Sequence, residues 1–137
     1  MHQIIYTSAA NAQSGPDSMA SIASHAAQNN KTLEITGLLL VSDNVIFQVL
    51  EGAKAHVDMI YSRITEDTRH SGLLLLLSRP IAQREFSHWS SGVAKLQRRN
   101  TDHIFNLTKD SLAAITPKYP SPELTTLINT FTSVSRL

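Results

Sequence analysis

Gln48 stands at the centre of Val45-Ile46-Phe47-Gln48-Val49-Leu50-Glu51-Gly52, a run otherwise suited to a buried strand. A primary amide carries two donors and two acceptor lone pairs, and burying them without partners costs roughly 1–3 kcal/mol on mutational scales. Tyr6, in His2-Gln3-Ile4-Ile5-Tyr6-Thr7-Ser8, offers a phenol that could meet such an amide. Alternate residues of a strand share a face, so Ile46, Gln48 and Leu50 point one way, and Ile4 and Tyr6 share a face of their own strand. If both strands turn these faces to the same side, the phenol and the amide can hydrogen-bond beneath the helices. Asn29 and Asn30 add two more amides at the end of the first helical pattern, near the strand tips. Arg63 and Asp67 are four apart on a helical pattern and can pair. The chemistry on offer is hydrogen bonding among groups set at apolar positions.

Each residue also has a plain structural reading. Gln48 can bond a neighbouring backbone group, as most side-chain polar groups do. Tyr6 can be a core tyrosine with its hydroxyl at the rim, and asparagine is a good helix terminator. Arg63 and Asp67 can be a solvent-exposed pair, and Trp89, the only tryptophan, can be core. Glu51, a strand-end acid before glycine, reads as solvated, and nothing pairs it with Asp67 as an acid/base dyad.

Familiar catalytic patterns are absent. The sequence contains no GxGxxG, Walker A, GxSxG or HExxH. It has no cysteine, which excludes disulfides, thiolate nucleophiles and cysteine-based zinc sites. Its 6 histidines include no pair at helical metal-ligand spacing, so no metal site is expected. A net charge of +1 with no long basic run gives no reason to expect nucleic acid. With 42% apolar and 17% charged residues, the composition is that of an ordinary globular domain. The longest apolar run, Leu73 to Leu77, is too short to cross a bilayer, and the N-terminus lacks the pattern of a signal peptide. A cytoplasmic location, with no membrane partner, is the expectation.

The elements that must position these groups follow from periodicity. His2 to Ser8 reads as a first strand, and Asp17 or Ser18 can cap a helix whose face is Met19, Ile22, Ala23, Ala26 and Ala27. Two apolar runs flanking Ser42-Asp43-Asn44 predict a β-hairpin. A second helix follows from Ala53, with Val57, Ile60, Tyr61 and Ile64 as its stripe and a basic end at Arg69 and His70. Leu73 to Ile81 lacks alternation, as expected of a central strand covered on both faces, and His88 to Leu96 reads as a fifth strand. The order β-α-β-β-α-β-β predicts an α+β, ferredoxin-like sandwich: a five-stranded mixed sheet with two helices on one face. Two C-terminal helical patterns, near Thr108–Thr116 and from Ser121-Pro122-Glu123 onward, would cover the other face. The expected organisation is a domain over 1–97 with a helical extension over 98–137.

Taken together, the segments IIYTS, NNKTLEITGLLL, IFQVLEG, SRITEDTRHSG and RPIAQREFSHWS resemble the BLUF family of blue-light sensors that use flavin. The resemblance runs from Ile4 to about Leu96, with Gln48 eleven residues past Gly37. It implies a flavin ring, FAD or FMN, held non-covalently between the two helices over the sheet face bearing Tyr6 and Gln48. By the same resemblance Tyr6 is the redox tyrosine, and Gln48 links it to flavin N5 and O4. Asn30 would hold the C4=O and N3–H edge, with Asn29, Arg63 and Asp67 toward the pyrimidine side. Ile22, Ile35 and Leu39 could sandwich the ring. Trp89 matches the strand-borne tryptophan, but Ser91 stands where many members carry a methionine, which puts the family's usual output step in question. The implied activity is a photoreceptor, not an enzyme, signalling to a downstream protein or through self-association in a homo-oligomer. The competing reading is a ferredoxin-like domain that binds a small molecule or a protein without photochemistry. A flavin-dependent oxidoreductase is the third, and it lacks a visible nicotinamide site.

Overall fold

The hairpin forms between the two apolar runs: in this computed structural model β2 (Thr36–Ser42) pairs antiparallel with β3 (Val45–Gly52), Ser42 lying opposite Val45. Asn44 takes the left-handed conformation (φ 65°) that such a tight connection requires. The structure describes residues 1–10, 26–42, 44–68, 70–94 and 104–135. Ile22, Arg69, the helix start at Asp17 or Ser18, and the end of the expected fifth strand lie outside the described residues.

Strand β1 (His2–Ala10) pairs with β3 on one side and with β4 (His70–Pro80) on the other, both antiparallel. Strand β5 (Trp89–Val93) runs parallel to β2, and the sheet order is β4-β1-β3-β2-β5-β6. The four-strand core β4-β1-β3-β2 is that of a ferredoxin-like sandwich. The sheet has six strands where five were expected, because β6 (Ile104–Asn106) adds parallel to β5. Three residues are too few to show a strand period. Gly92 makes room for the addition: a Cβ there would lie 2.4 Å from the Phe105 ring.

One face of the sheet carries two helices. Helix α1, helical over 26–32, places Ala26 against Leu39, Val41, Ile46 and Val93. Helix α2 (Lys54–Glu66) packs Val57 and Ile60 on Ile4, Tyr6 and Leu50. On the rear face Ile5, Leu38, Leu40, Phe47 and Val49 meet Leu112 of α3 (Lys109–Ile115) and Leu124, Ile128 and Phe131 of α4 (Pro122–Val134). Fully burying each such aliphatic or aromatic side chain contributes about 1.5–3 kcal/mol, so the C-terminal helices complete the core. Both are cut off cleanly at their starts. Thr108 and Ser111 form a capping box, and Ser121 caps α4 ahead of Pro122. Among the described residues no helix is long and apolar enough to cross a membrane.

Two local expectations fail. Helix α2 ends at Glu66, short of Arg69 and His70, because the chain turns extended at Asp67 (ψ 115°) and enters β4 at His70. The leucine run lies on an edge strand: Leu74, Leu75 and Leu76 are 58%, 45% and 36% exposed. An unalternating run gives both faces of a strand apolar side chains; it does not supply neighbours to cover them. Register shifts along the β1–β4 pairing further break the alternation.

Candidate functional site

Antiparallel pairing of β1 with β3 sets Tyr6 directly opposite Gln48. The next strands continue the row, with Leu39 opposite Gln48 and Ser91 beside Leu39. Tyr6 O–H donates to Gln48 Oε1, so the strand-borne amide does find the phenol. Helix α2 covers the Tyr6 end of this row and α1 the Leu39 end, which leaves Gln48 beneath the seam between the helices.

The phenol is sealed. Tyr6 has no exposed surface, and the Tyr61 ring meets it edge-on, centroids 5.8 Å apart with planes at 72°. Burial raises the phenol's pKa far above its ordinary value, and the nearby Tyr61 and Asp67 push it the same way. Tyr6 is therefore a neutral hydrogen-bond donor at any ordinary pH, and simple acid–base chemistry cannot remove its proton.

Gln48 is 3% exposed, and its Nε2 has no hydrogen-bond partner. Asn30, 1% exposed, is unpartnered at both Oδ1 and Nδ2, although its backbone carbonyl accepts from Ile35 N at 2.9 Å. Native proteins satisfy nearly all buried polar atoms, so three orphans on two amides require a polar ligand edge, a water or strain. Asn30 lies one turn past Ala26, on the helix face turned to the sheet. Two donors and one acceptor in apolar surroundings fit the mixed donor–acceptor edge of a planar heterocycle. Ile35, 2% exposed, and Leu39, 1% exposed, supply apolar walls nearby. The residues present fit a flavin.

The other expected residues are less gathered. Asn29 is exposed within α1, which continues to residue 32, so neither asparagine terminates the helix; the left-handed residue beyond it is Glu34 (φ 55°). Arg63 is exposed on α2, its Nη2 3.6 Å from Met59 Sδ, away from the buried row. Asp67 caps α2 and is near enough to Tyr6 to act on its pKa. Trp89 is half-buried and packs against both apolar clusters of the helix-covered face, and its Nε1–H donates to Ser91 Oγ at 2.9 Å. Two contributors escaped sequence reasoning. Tyr61 appeared only as a stripe residue of α2, and Ser91 only as a replacement for a methionine. Their partners depend on how elements distant in the chain come together.

Glu51 is buried, contrary to its reading as a solvated strand end. Gln3 Nε2 donates to its Oε2 at 2.7 Å, and Glu85 N and Phe86 N donate to its Oε1 at 3.0 and 2.8 Å. Residues 81–88 fold back over the strand end and bring those N–H groups. The same Gln3 amide nitrogen bonds Glu85 at 2.7 Å, and Glu85 accepts from Ser121 N at 2.6 Å. This network ties the sheet to the start of α4 and lies on the face opposite Gln48. No candidate metal cluster occurs among the described residues.

Known proteins share this fold. Residues 1–92 match the family described as BLUF, sensors of blue-light using FAD. The photoactivated adenylate cyclase subunit alpha of Euglena gracilis is 31% identical over 91 residues, covering 66% of this chain and 8% of that protein. The blue light- and temperature-regulated antirepressor BluF of Escherichia coli K12 is 31% identical over 94 residues, 69% of this chain and 23% of its own length. Among solved structures, BlrP1 of Klebsiella pneumoniae, determined as a calcium/cy-diGMP complex, superposes with a TM-score of 0.75 at 25% identity, covering 96% of this chain and 34% of that one. A structure of the BlrP1 BLUF domain gives 0.73 at 23% identity over 95% of this chain and 88% of that one. The chain thus spans a small part of the longer relatives and most of an isolated light-sensing domain. It belongs to the BLUF family, the sensors of blue light that use FAD.

Proposed function

We propose that this chain is a blue-light photoreceptor domain that holds FAD non-covalently between α1 and α2 and uses Tyr6 and Gln48 as its photoactive pair. The observation that carries this reading is the buried Tyr6–Gln48 hydrogen bond, with the far end of Gln48 and both side-chain ends of Asn30 left unpartnered. Asn30 would take the polar edge of the ring, and Ile35, Leu39 and Ile22 its flat faces. Asn29, Arg63 and Asp67 would lie toward its pyrimidine side. When bound, flavin supplies blue-light absorption and an excited state able to accept an electron.

Tyr6 is the donor. Its phenol is held neutral by burial, so its proton leaves only with the electron, because an oxidised phenol is a strong acid. Gln48 Oε1 already accepts that hydrogen bond and is the group placed to receive or relay the proton. When the electron and the proton both return to Tyr6, the phenol is restored and the Gln48 amide can remain rotated or tautomerised, its donor and acceptor ends exchanged. Gln48 then presents a different hydrogen bond to the ring, which produces a small red shift of the absorbance. A local hydrogen-bond change of this kind acts as a switch by biasing a larger element.

The domain works as a sensor with no substrate of its own. Its readout passes to a downstream signalling protein or through a homo-oligomer; the names of the longer relatives, a photoactivated cyclase and a light-regulated antirepressor, support an output carried by another domain or protein. The test is an absorption spectrum of the flavin-loaded protein before and after blue light. The expected result is a red-shifted flavin band that recovers in the dark. A preparation that neither contains flavin nor takes it up on refolding would overturn the reading.

A further inference from the structure

Ser91 has no exposed surface, and it stands in the same cross-sheet row as Tyr6, Gln48 and Leu39. It shares its face of β5 with Trp89, two residues before it. The indole has one polar atom, Nε1–H, which donates to Ser91 Oγ at 2.9 Å. We infer that Ser91 is a positioning residue: through this bond it holds the Trp89 indole against the apolar face that carries the photoactive pair. The inference rests on the proposed photoreceptor function.

The bond matters because packing alone leaves the indole a choice. Trp89 meets the clusters around Leu39 and Val41 and around Tyr6 and Ile35. It also forms part of the wall of a cavity of about 730 Å³, together with Ala27, Lys31, Ile35, Arg84 and His88. A half-buried ring that borders both a packed surface and a space larger than itself is not confined by sterics. The hydrogen bond to a fully buried hydroxyl selects the packed position. Behind the strand, Gly92 leaves no gap: the Phe105 ring occupies the place a side chain would take. Strand β5 is thus packed on its rear face as well, and the side-chain bond to Ser91 is the directional contact of the indole. A directional hydrogen bond to Ser91 thereby sets the tryptophan beside Leu39, the residue next to Gln48.

The experiment uses the full chain loaded with FAD and labelled with nitrogen-15. The single tryptophan gives one indole N–H resonance, so its shift and hydrogen-exchange rate report this bond alone. Ser91→Ala and Ser91→Cys are compared with the unmodified chain; cysteine keeps the volume but offers a weak acceptor. In both variants the indole proton should exchange about fivefold faster, the factor for losing a hydrogen bond worth roughly 1 kcal/mol. The lifetime of the red-shifted state should change in both, while the size of the shift, set by Tyr6 and Gln48, stays the same. Unchanged indole exchange in Ser91→Ala overturns the inference. So does full protection and lifetime in Ser91→Cys, because space filling would then suffice. An unmodified chain that shows no red shift would remove the photoreceptor reading, whereas the dark-state indole comparison still decides whether Ser91 positions Trp89.

Discussion

Replacing Asn30 with leucine should make the flavin-free protein more stable and its hold on flavin weaker. Asn30 is 1% exposed and both polar atoms of its side chain lack partners. Each buried, unsatisfied polar atom costs about 1–3 kcal/mol. Leucine has the same branching at Cγ, so it removes that cost while leaving the Asn30 carbonyl–Ile35 N–H bond intact. Because neighbouring side chains relax around such a group, a gain at the low end of that range, about 1–2 kcal/mol, is expected. For a domain of this length that corresponds to a rise in Tm of roughly 3–8 °C. With flavin present the sign reverses, because the ring's polar edge would face two methyl groups. Loss of about 1–3 kcal/mol of binding weakens Kd roughly 5- to 150-fold. The assays are thermal unfolding of the flavin-free variant and flavin titration by fluorescence quenching. A flavin-free variant less stable than its parent by more than about 1 kcal/mol would refute the reasoning, since the amide would then be satisfied within the protein. Undiminished flavin affinity would refute it equally.

Three further substitutions test the frame around the site. Gly37→Ala should cost about 3 kcal/mol or more, because its Cβ would fall 1.9 Å from the Val49 carbonyl oxygen at φ 144°. Gly72→Ala, with open space and φ 59°, should cost only about 1–2 kcal/mol; urea unfolding of the two variants checks the contrast. The Glu51 carboxyl has its pKa raised, chiefly by burial and against the lowering effect of hydrogen bonds from Phe86, Gln3 and Glu85. The folded protein thus binds this proton more tightly than the unfolded chain, so Glu51 contributes stability below the ordinary carboxylate range that is lost as pH rises through its folded pKa. Glu85 acts oppositely: burial would raise it, but hydrogen bonds from Gln3 and Ser121 and the charge of Arg79 lower it, so its contribution is lost as pH falls. Relative to Glu51→Gln, the parent protein should lose stability on going upward from about pH 4.5, by at most about 1.4 kcal/mol per pH unit. Parallel stability–pH curves would contradict this.

The residues that meet across the sheet were largely readable from strand period. Tyr6 and Gln48 each sit on a predictable face of a predictable strand, and only their register needed the fold. The C-terminal helices were legible too, since Ser121-Pro122 marks a start and Leu124, Ile128 and Phe131 fall on one stripe. What escaped depends on neighbours distant in the chain. Leu74 and Leu75 read as covered core, yet apolarity says nothing about whether another strand arrives, and here none does among the described residues. Glu51 read as solvated because nothing local announces that Gln3 and the amides of Glu85 and Phe86 converge on it. Ser91 carries no signal of its own; only the fold shows its hydroxyl accepting from Trp89.

In the proposed function the Tyr6–Gln48 pair, once flavin is bound, converts blue light into a rearranged hydrogen bond. The most direct measurement is the light-minus-dark absorption spectrum of the FAD-loaded protein beside its Tyr6→Phe and Gln48→Leu variants. A reversible red shift is expected in the parent and none in either variant, with flavin still bound in both. A red shift retained in both variants would contradict it.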